Sequence, residues 1–333
     1  MSLRVAALAL ATLIAAAPPP LQAQDDIVAV TATPVTRFQG REPGERIGEL
    51  IWRGGLNLTS PDPRFGGLSG LAFADDDGNL VMVTDRGQFV SGRLLHDEAG
   101  APQLLTGIAI SPIRNSSGAE LPRQFARDAE SVEIVFRDGE PAAARVGFEH
   151  LTRVADFALS ELRPGGGARE IAIPDWLTAA RTNATIESLC IAPETSPVAG
   201  STLIITEGVR AETGALRGYM IGVRDRGDLT YRPATDAVPT DCAFLPDGDL
   251  VVLERGLGFL RLTMRLIRIP AAEIRPGNEL RGELLLEASG GGVSNMEGLG
   301  IHTRPDGETR LTVIADDNMS AWLDTILLEF ALP

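Results

Sequence analysis

Acidic residues recur at the ends of short apolar runs in this chain. Residues 295–318 show the arrangement most fully. Glu297 opens an alternating run through Leu299 and Ile301, and an Asp306-Gly307 pair follows. A second run through Leu311, Val313 and Ala315 ends in Asp316, Asp317 and Asn318. An Asp-Gly pair between two alternating runs predicts a β-hairpin. Antiparallel pairing brings the start of one strand beside the end of the next. Glu297 and Asp316/Asp317 are therefore expected at one end of the hairpin, facing one place. Carboxylates gathered in this way do general acid–base work or hold hard cations, which take oxygen ligands.

The same pattern is written five times. One copy begins at Ser69, turns at Asp77-Gly78 and ends at Asp85-Arg86. The next carries Glu130, Asp138-Gly139 and Glu149. A third begins at Glu187 and ends at Glu207, and a fourth carries Asp241, Asp247-Gly248 and Glu254-Arg255. Starts about 54 to 60 residues apart suit a four-stranded propeller blade with generous outer loops. The expected fold is an all-β propeller of five countable four-stranded repeats, and the N-terminal region leaves room for a sixth blade. The last repeat shows three strands, so residues 47–58 are the candidate closing strand, which would remove an open edge. If the blades share an axis, their acidic ends share an opening. Asp85, Glu130, Glu149, Glu187, Glu207, Asp241, Glu254 and Asp316 are the candidate metal ligands. Glu297 and Asp317 are the candidate general bases. Arg86, Arg255 and Asn318 are the candidates for substrate contact, with an ion pair to a neighbouring blade as the competing role for both arginines.

Residues 1–23 read as a signal peptide. Arg4 precedes an apolar stretch over 5–17, and small residues lead to a cleavage point after Ala23. That stretch is short for a membrane span. The expectation is a mature chain, 24–333, that forms one propeller domain, is periplasmic or secreted, and is monomeric. The formal net charge is −15 and lysine is absent, so all 30 basic residues are arginine. No basic cluster points to nucleic acid. An acidic surface attracts cations, and an anionic substrate would need a bridging one. Cys190 and Cys242 occupy similar places in neighbouring repeats, and in an exported chain they are candidates for a disulfide, with two buried thiols as the alternative. Histidines 96, 150 and 302 form no ligand-like pair by spacing.

Several strings together resemble the phytase-like family, also described as "esterase-like activity of phytase". They are D-A-E-S at 128–131, F-E at 148–149, E-S-L-C-I-A-P at 187–193, T-E-G at 206–208, L-E-R-G at 253–256, N-M-E-G-L at 295–299 and the closing D-D-N with T-I-L-L-E-F-A-L. Ser131 and Ser188 stand where that family tends to have glycine. The resemblance implies a propeller with a calcium-rich acidic pocket that acts on a small-molecule ester, phosphate or carboxylic. Two other readings fit the residues: a metal-dependent lactonase-type propeller, and a non-catalytic propeller stabilised by calcium.

Overall fold

A computed structural model describes residues 26–122, 124–180, 182–258, 261–318 and 323–333. The segment assigned as a signal peptide lies outside them. Five antiparallel sheets stand around one axis, and the first strand of each is innermost. Blade 1 consists of Leu68–Phe73, Asn79–Thr84, Gln88–His96 and Pro102–Pro112. Blade 2 consists of Ala129–Arg137, Glu140–Phe148, Arg153–Ser160 and Arg163–Ile171. Blade 3 consists of Ile186–Ile191, Thr202–Arg210, Leu216–Ile221 and Gly227–Tyr231. Blade 4 consists of Ala237–Phe244, Leu250–Gly258, Arg261–Ile269 and Glu283–Ser289. Blade 5 takes Asn295–Thr303, Thr309–Asp316 and Thr325–Ala331 from the C-terminal end and Leu50–Thr59 from the N-terminal end.

That last pairing closes the ring. Leu56 lies opposite Leu327 and Leu58 opposite Thr325, so the chain's two ends are joined by one strand ladder. The described N-terminal residues thus complete the fifth blade and form no sixth. Its remaining short strands extend existing sheets: Asp26–Ile27 on blade 1 and Thr31–Val35 on blade 5. The Asp-Gly hairpins form where the sequence places them. At Asp138-Gly139 both residues have positive φ, 54° and 83°, which joins strands whose end residues Arg137 and Glu140 pair directly.

Five apolar layers make the core, one in each gap between neighbouring blades. Val81 and Phe89 of blade 1 meet Ile134 and Phe157 of blade 2. Val154 meets Ile204 across the next gap, and Leu203 meets Val252 across the third. Trp52 and Leu328 pack on Leu253 and Leu266, and Leu327 packs on Leu71 at the closure. Each sheet is buried on both faces, which explains why its inner strands read as nearly continuous apolar runs. Cys190 and Cys242 are joined as a disulfide between the inner strands of blades 3 and 4. No helix among the described residues is long and apolar enough to cross a membrane.

Candidate functional site: an acidic mouth on the axis

Each inner strand carries an irregularity at the same level of its pairing with the second strand. The residues set off by these shifts are Ser69, Glu130, Glu187, Thr240 and Glu297. An extra residue in a strand re-aims its side chain. Three of the five are glutamates, and their carboxylates influence one another: Glu187 is raised by Glu130 and Glu297 as well as by burial. The other two carry hydroxyls that fasten neighbouring strands. Ser69 Oγ donates to the carbonyl of Ala129 at 2.5 Å, and Thr240 Oγ1 to that of Met296 at 3.0 Å.

A second tier lies on the second strands, one pair nearer the opening. Asp85 pairs with Gly67, Glu149 with Asp128, Glu207 with Thr185, Arg255 with Val238 and Asp316 with Asn295. Four carboxylates and one guanidinium therefore surround the axis. Arg255 reaches both ways from blade 4. Its Nη1 donates to Asn295 Oδ1 at 2.6 Å and to Glu297 Oε1, and its Nη2 donates to Glu207 Oε1 at 3.2 Å. Asn295 Nδ2 also donates to Glu297 Oε1, at 2.7 Å. Glu297 is thus held by two neighbours in one orientation. The expected alternative for Arg255, an ion pair with acids of neighbouring blades, is what forms. Arg86 sits at the rim and donates to the Pro63 carbonyl at 3.3 Å.

Burial without enough positive charge raises the proton affinity of this cluster. Glu297 and Asp316 are pushed up to about 7, and Glu149 to about 6, with burial the leading cause in each case. Arg255 pulls Glu297 down against burial, while Asp85 and Asp317 push Asp316 further up. Burial also raises Glu130, Glu187, Glu207 and Asp85. Oxygens of Glu149, Glu187 and Glu207 lie within 4.8 Å of one another, as do ligand atoms of Asp128, Glu149 and His150. Asp85 Oδ1 is buried with no hydrogen-bond partner. The Glu149, Glu187 and Glu207 oxygens, a set made of carboxylates alone, fit a hard divalent cation such as calcium, whose charge would offset their mutual repulsion.

Two candidate ligands fall elsewhere, both in blade 4 and both by one residue. Thr240, not Asp241, is level with the three glutamates. Asp241 is buried deeper, where its oxygens accept from the amides of Leu299 and Cys242, each at 2.8 Å. It ties blade 4 to blade 5. Replacing Asp241 with Ala is expected to cost about 2 to 4 kcal/mol of stability, since buried amides lose their acceptor. The same variant should keep its calcium affinity. Denaturant unfolding beside calcium titration checks both. Glu254 is likewise away from the opening. Fully buried, it accepts from Tyr231 Oη at 2.6 Å and from the Ala234 amide at 3.1 Å, and the next residue, Arg255, takes its place in the ring. Asp317 accepts from the Gly67 amide at 3.1 Å and the Thr325 hydroxyl at 3.0 Å, and Asn318 is exposed beside it.

Three further residues, Asp128, His150 and Asn295, join the site. Asp128 bonds His150 and pushes up Glu130 and Glu149, and Asn295 orients Glu297. Their places at the starts of D-A-E-S and N-M-E-G were visible in the sequence as companions of the glutamates. Glu133 lies further down the channel, pushed to about 7 by burial. A cavity of about 630 Å³ opens at that far end between Phe73, Phe136 and Phe244. The carboxylates that converge within ligand reach of one another lie at the mouth instead, Glu149, Glu187 and Glu207 among them.

The family described as "Phytase-like: Esterase-like activity of phytase" matches residues 63–319. A comparison with curated proteins finds no match. Among solved structures, the PQQ-bound aldose sugar dehydrogenase from Streptomyces coelicolor is similar at 12% identity and a TM-score of 0.42, over 80% of this chain and 94% of that one. The Pan2 WD40 domain of Neurospora crassa shows 10% identity and a TM-score of 0.39, over 87% and 98%. The Cps50 (Swd1) β-propeller domain of Myceliophteria thermophila shows 8% identity and a TM-score of 0.40, over 92% and 100%.

Proposed function

Given that the chain belongs to the phytase-like family, we propose that it is an exported, calcium-dependent hydrolase of phosphate or carboxylic esters, acting at the acidic mouth. One observation carries this reading: carboxylates from separate blades, with raised proton affinity, meet around the axis beside Arg255. Glu149, Glu187 and Glu207 are the residues that would hold calcium, with Glu130 alongside. When bound, the ion lowers the pKa of a bound water and polarises an ester oxygen.

The chain's own residues supply the rest. Glu297, poised near neutrality, accepts a proton from the attacking water. Asn295 and Arg255 keep its carboxylate aimed, and Arg255 offers positive charge to an anionic oxygen that displaces one of its present partners. Asp317 is less suited to proton transfer, because its oxygens already serve Gly67 and Thr325. Export is proposed on the apolar leader and agrees with the disulfide, since such bonds persist in oxidising compartments.

A screen of chromogenic phosphate and carboxylic esters, with calcium and with chelator, tests the proposal. Turnover of either class that disappears on chelation supports it. Calcium-stabilised protein that turns over no ester would favour the binding propeller, and turnover of lactones alone the lactonase-type reading.

A further inference from the structure

A second cluster lies away from the mouth, where blades 5 and 1 close the ring. His96 ends the third strand of blade 1, while His302 and Glu329 come from the first and third strands of blade 5. His96 Nε2 is 3.0 Å from each oxygen of Glu329, and His302 Nε2 is 3.8 Å from Glu329 Oε1. One ligand atom from each residue lies within 4.8 Å of the others. His302 is only 5% exposed, and neither of its ring nitrogens has a hydrogen-bond partner. Its ring stacks on Phe73 at 4.1 Å, which fixes its plane with one edge toward Glu329.

We propose that His96, His302 and Glu329 form a transition-metal site, suited to zinc, that clamps the junction of blades 5 and 1. Imidazole and carboxylate are the ligands such ions take, at about 2.0 to 2.2 Å, so neighbouring ligand atoms stand roughly 3 to 3.5 Å apart. The observed separations of 3.0 and 3.8 Å need only a small adjustment. A buried imidazole with no partner for either nitrogen loses hydrogen bonds that it had in water, and a metal–nitrogen bond would replace one. Glu329 is oriented from behind as metal-ligating carboxylates are: Arg310 Nη1 donates to its Oε2 at 2.6 Å, and the Thr312 hydroxyl to its Oε1 at 3.3 Å. Arg310 is itself shared with Glu308 and the Gly100 carbonyl, which limits its repulsion of a cation. A cavity of about 210 Å³ touches both histidines and leaves space for a fourth ligand from solvent. The site differs in kind from the mouth, whose converging ligands are mainly carboxylates.

Chelator-stripped, untagged protein is dialysed against zinc with calcium in excess. One zinc per chain that calcium does not displace is expected, with affinity lower by about 100-fold or more in His96→Ala and in His302→Gln. Glu297→Gln should bind zinc as the parent does. Cobalt in place of zinc should give the visible bands of a tetrahedral nitrogen–oxygen site, lost in His96→Ala. His96 is at the cavity edge, so that variant reports even where His302→Gln fails to fold. Zinc that is not retained, or is retained equally by His96→Ala, would overturn the proposal.

Discussion

Glu297→Gln is expected to lower ester turnover by about 100- to 10,000-fold while leaving the protein folded. Gln has the same shape and can still accept from Asn295 and Arg255, so the two hydrogen bonds that fix the position survive. What disappears is the group that takes a proton near neutrality. Its position between Arg255, which lowers its proton affinity, and burial, which raises it, sets the value near 7. The loss should appear in kcat more than in KM, because calcium and substrate contacts by other residues remain. Steady-state kinetics at saturating calcium, with circular dichroism as the fold control, provide the check. Full activity in the variant would remove Glu297 from the chemistry.

The second large effect is on stability. In calcium-free protein, Glu297 and Asp316 titrate near 7 and Glu149 near 6, above their ordinary values of 4.5, 3.8 and 4.5. Their folded values exceed their unfolded ones, so the native state binds more protons between about pH 4 and pH 7. The stability they contribute is complete below the unfolded values and is lost as pH rises through 6 and 7. At most on the order of 10 kcal/mol should disappear across that window. Asp156 acts in the opposite sense, because its arginine partners hold it below the ordinary range, and its contribution is lost only in stronger acid. Calcium should reverse the loss at neutral pH. At a thousandfold excess over Kd it adds about 4 kcal/mol. Thermal melts at pH 5 and pH 7.5, with calcium and with chelator, should show a large calcium effect only at the higher pH. A calcium effect of equal size at both would contradict the account.

Much of this was legible in the residues. The Asp-Gly pairs at 77–78, 138–139, 247–248 and 306–307 mark four hairpins, because each glycine takes the positive φ that its turn requires. The missing strand of the last repeat pointed to residues 47–58, and Leu50–Thr59 fills it. Cysteines at similar places in adjacent repeats pair. Within the site, Glu130, Glu149, Glu187, Glu207, Asp85, Asp316, Glu297 and Arg255 converge as their repeat positions imply. In blade 4 the acidic residues of the repeat stand one position out of step with those of the other blades. Side chains alternate across a strand, so a slip of one exchanges faces. Asp241 and Glu254 keep the acidic character of the pattern but sit one step from Thr240 and Arg255. The irregularities in strand pairing that aim Glu130, Glu187 and Glu297 leave no mark in composition. They emerge only when the second strand is paired beside the first. The cluster of His96, His302 and Glu329 has no sequence mark for a related reason, since His96 is more than 200 residues from the other two and meets them only where the ring closes.

The central claim is that acids from separate blades make one cation site on the axis. Isothermal titration of the chelator-stripped chain with calcium, compared with Glu187→Gln, tests it most directly. The account predicts saturable binding in the parent and an affinity at least about 10-fold weaker in the variant, because Glu187 lies within ligand reach of both Glu149 and Glu207. Equal calcium affinity in the two proteins would contradict it.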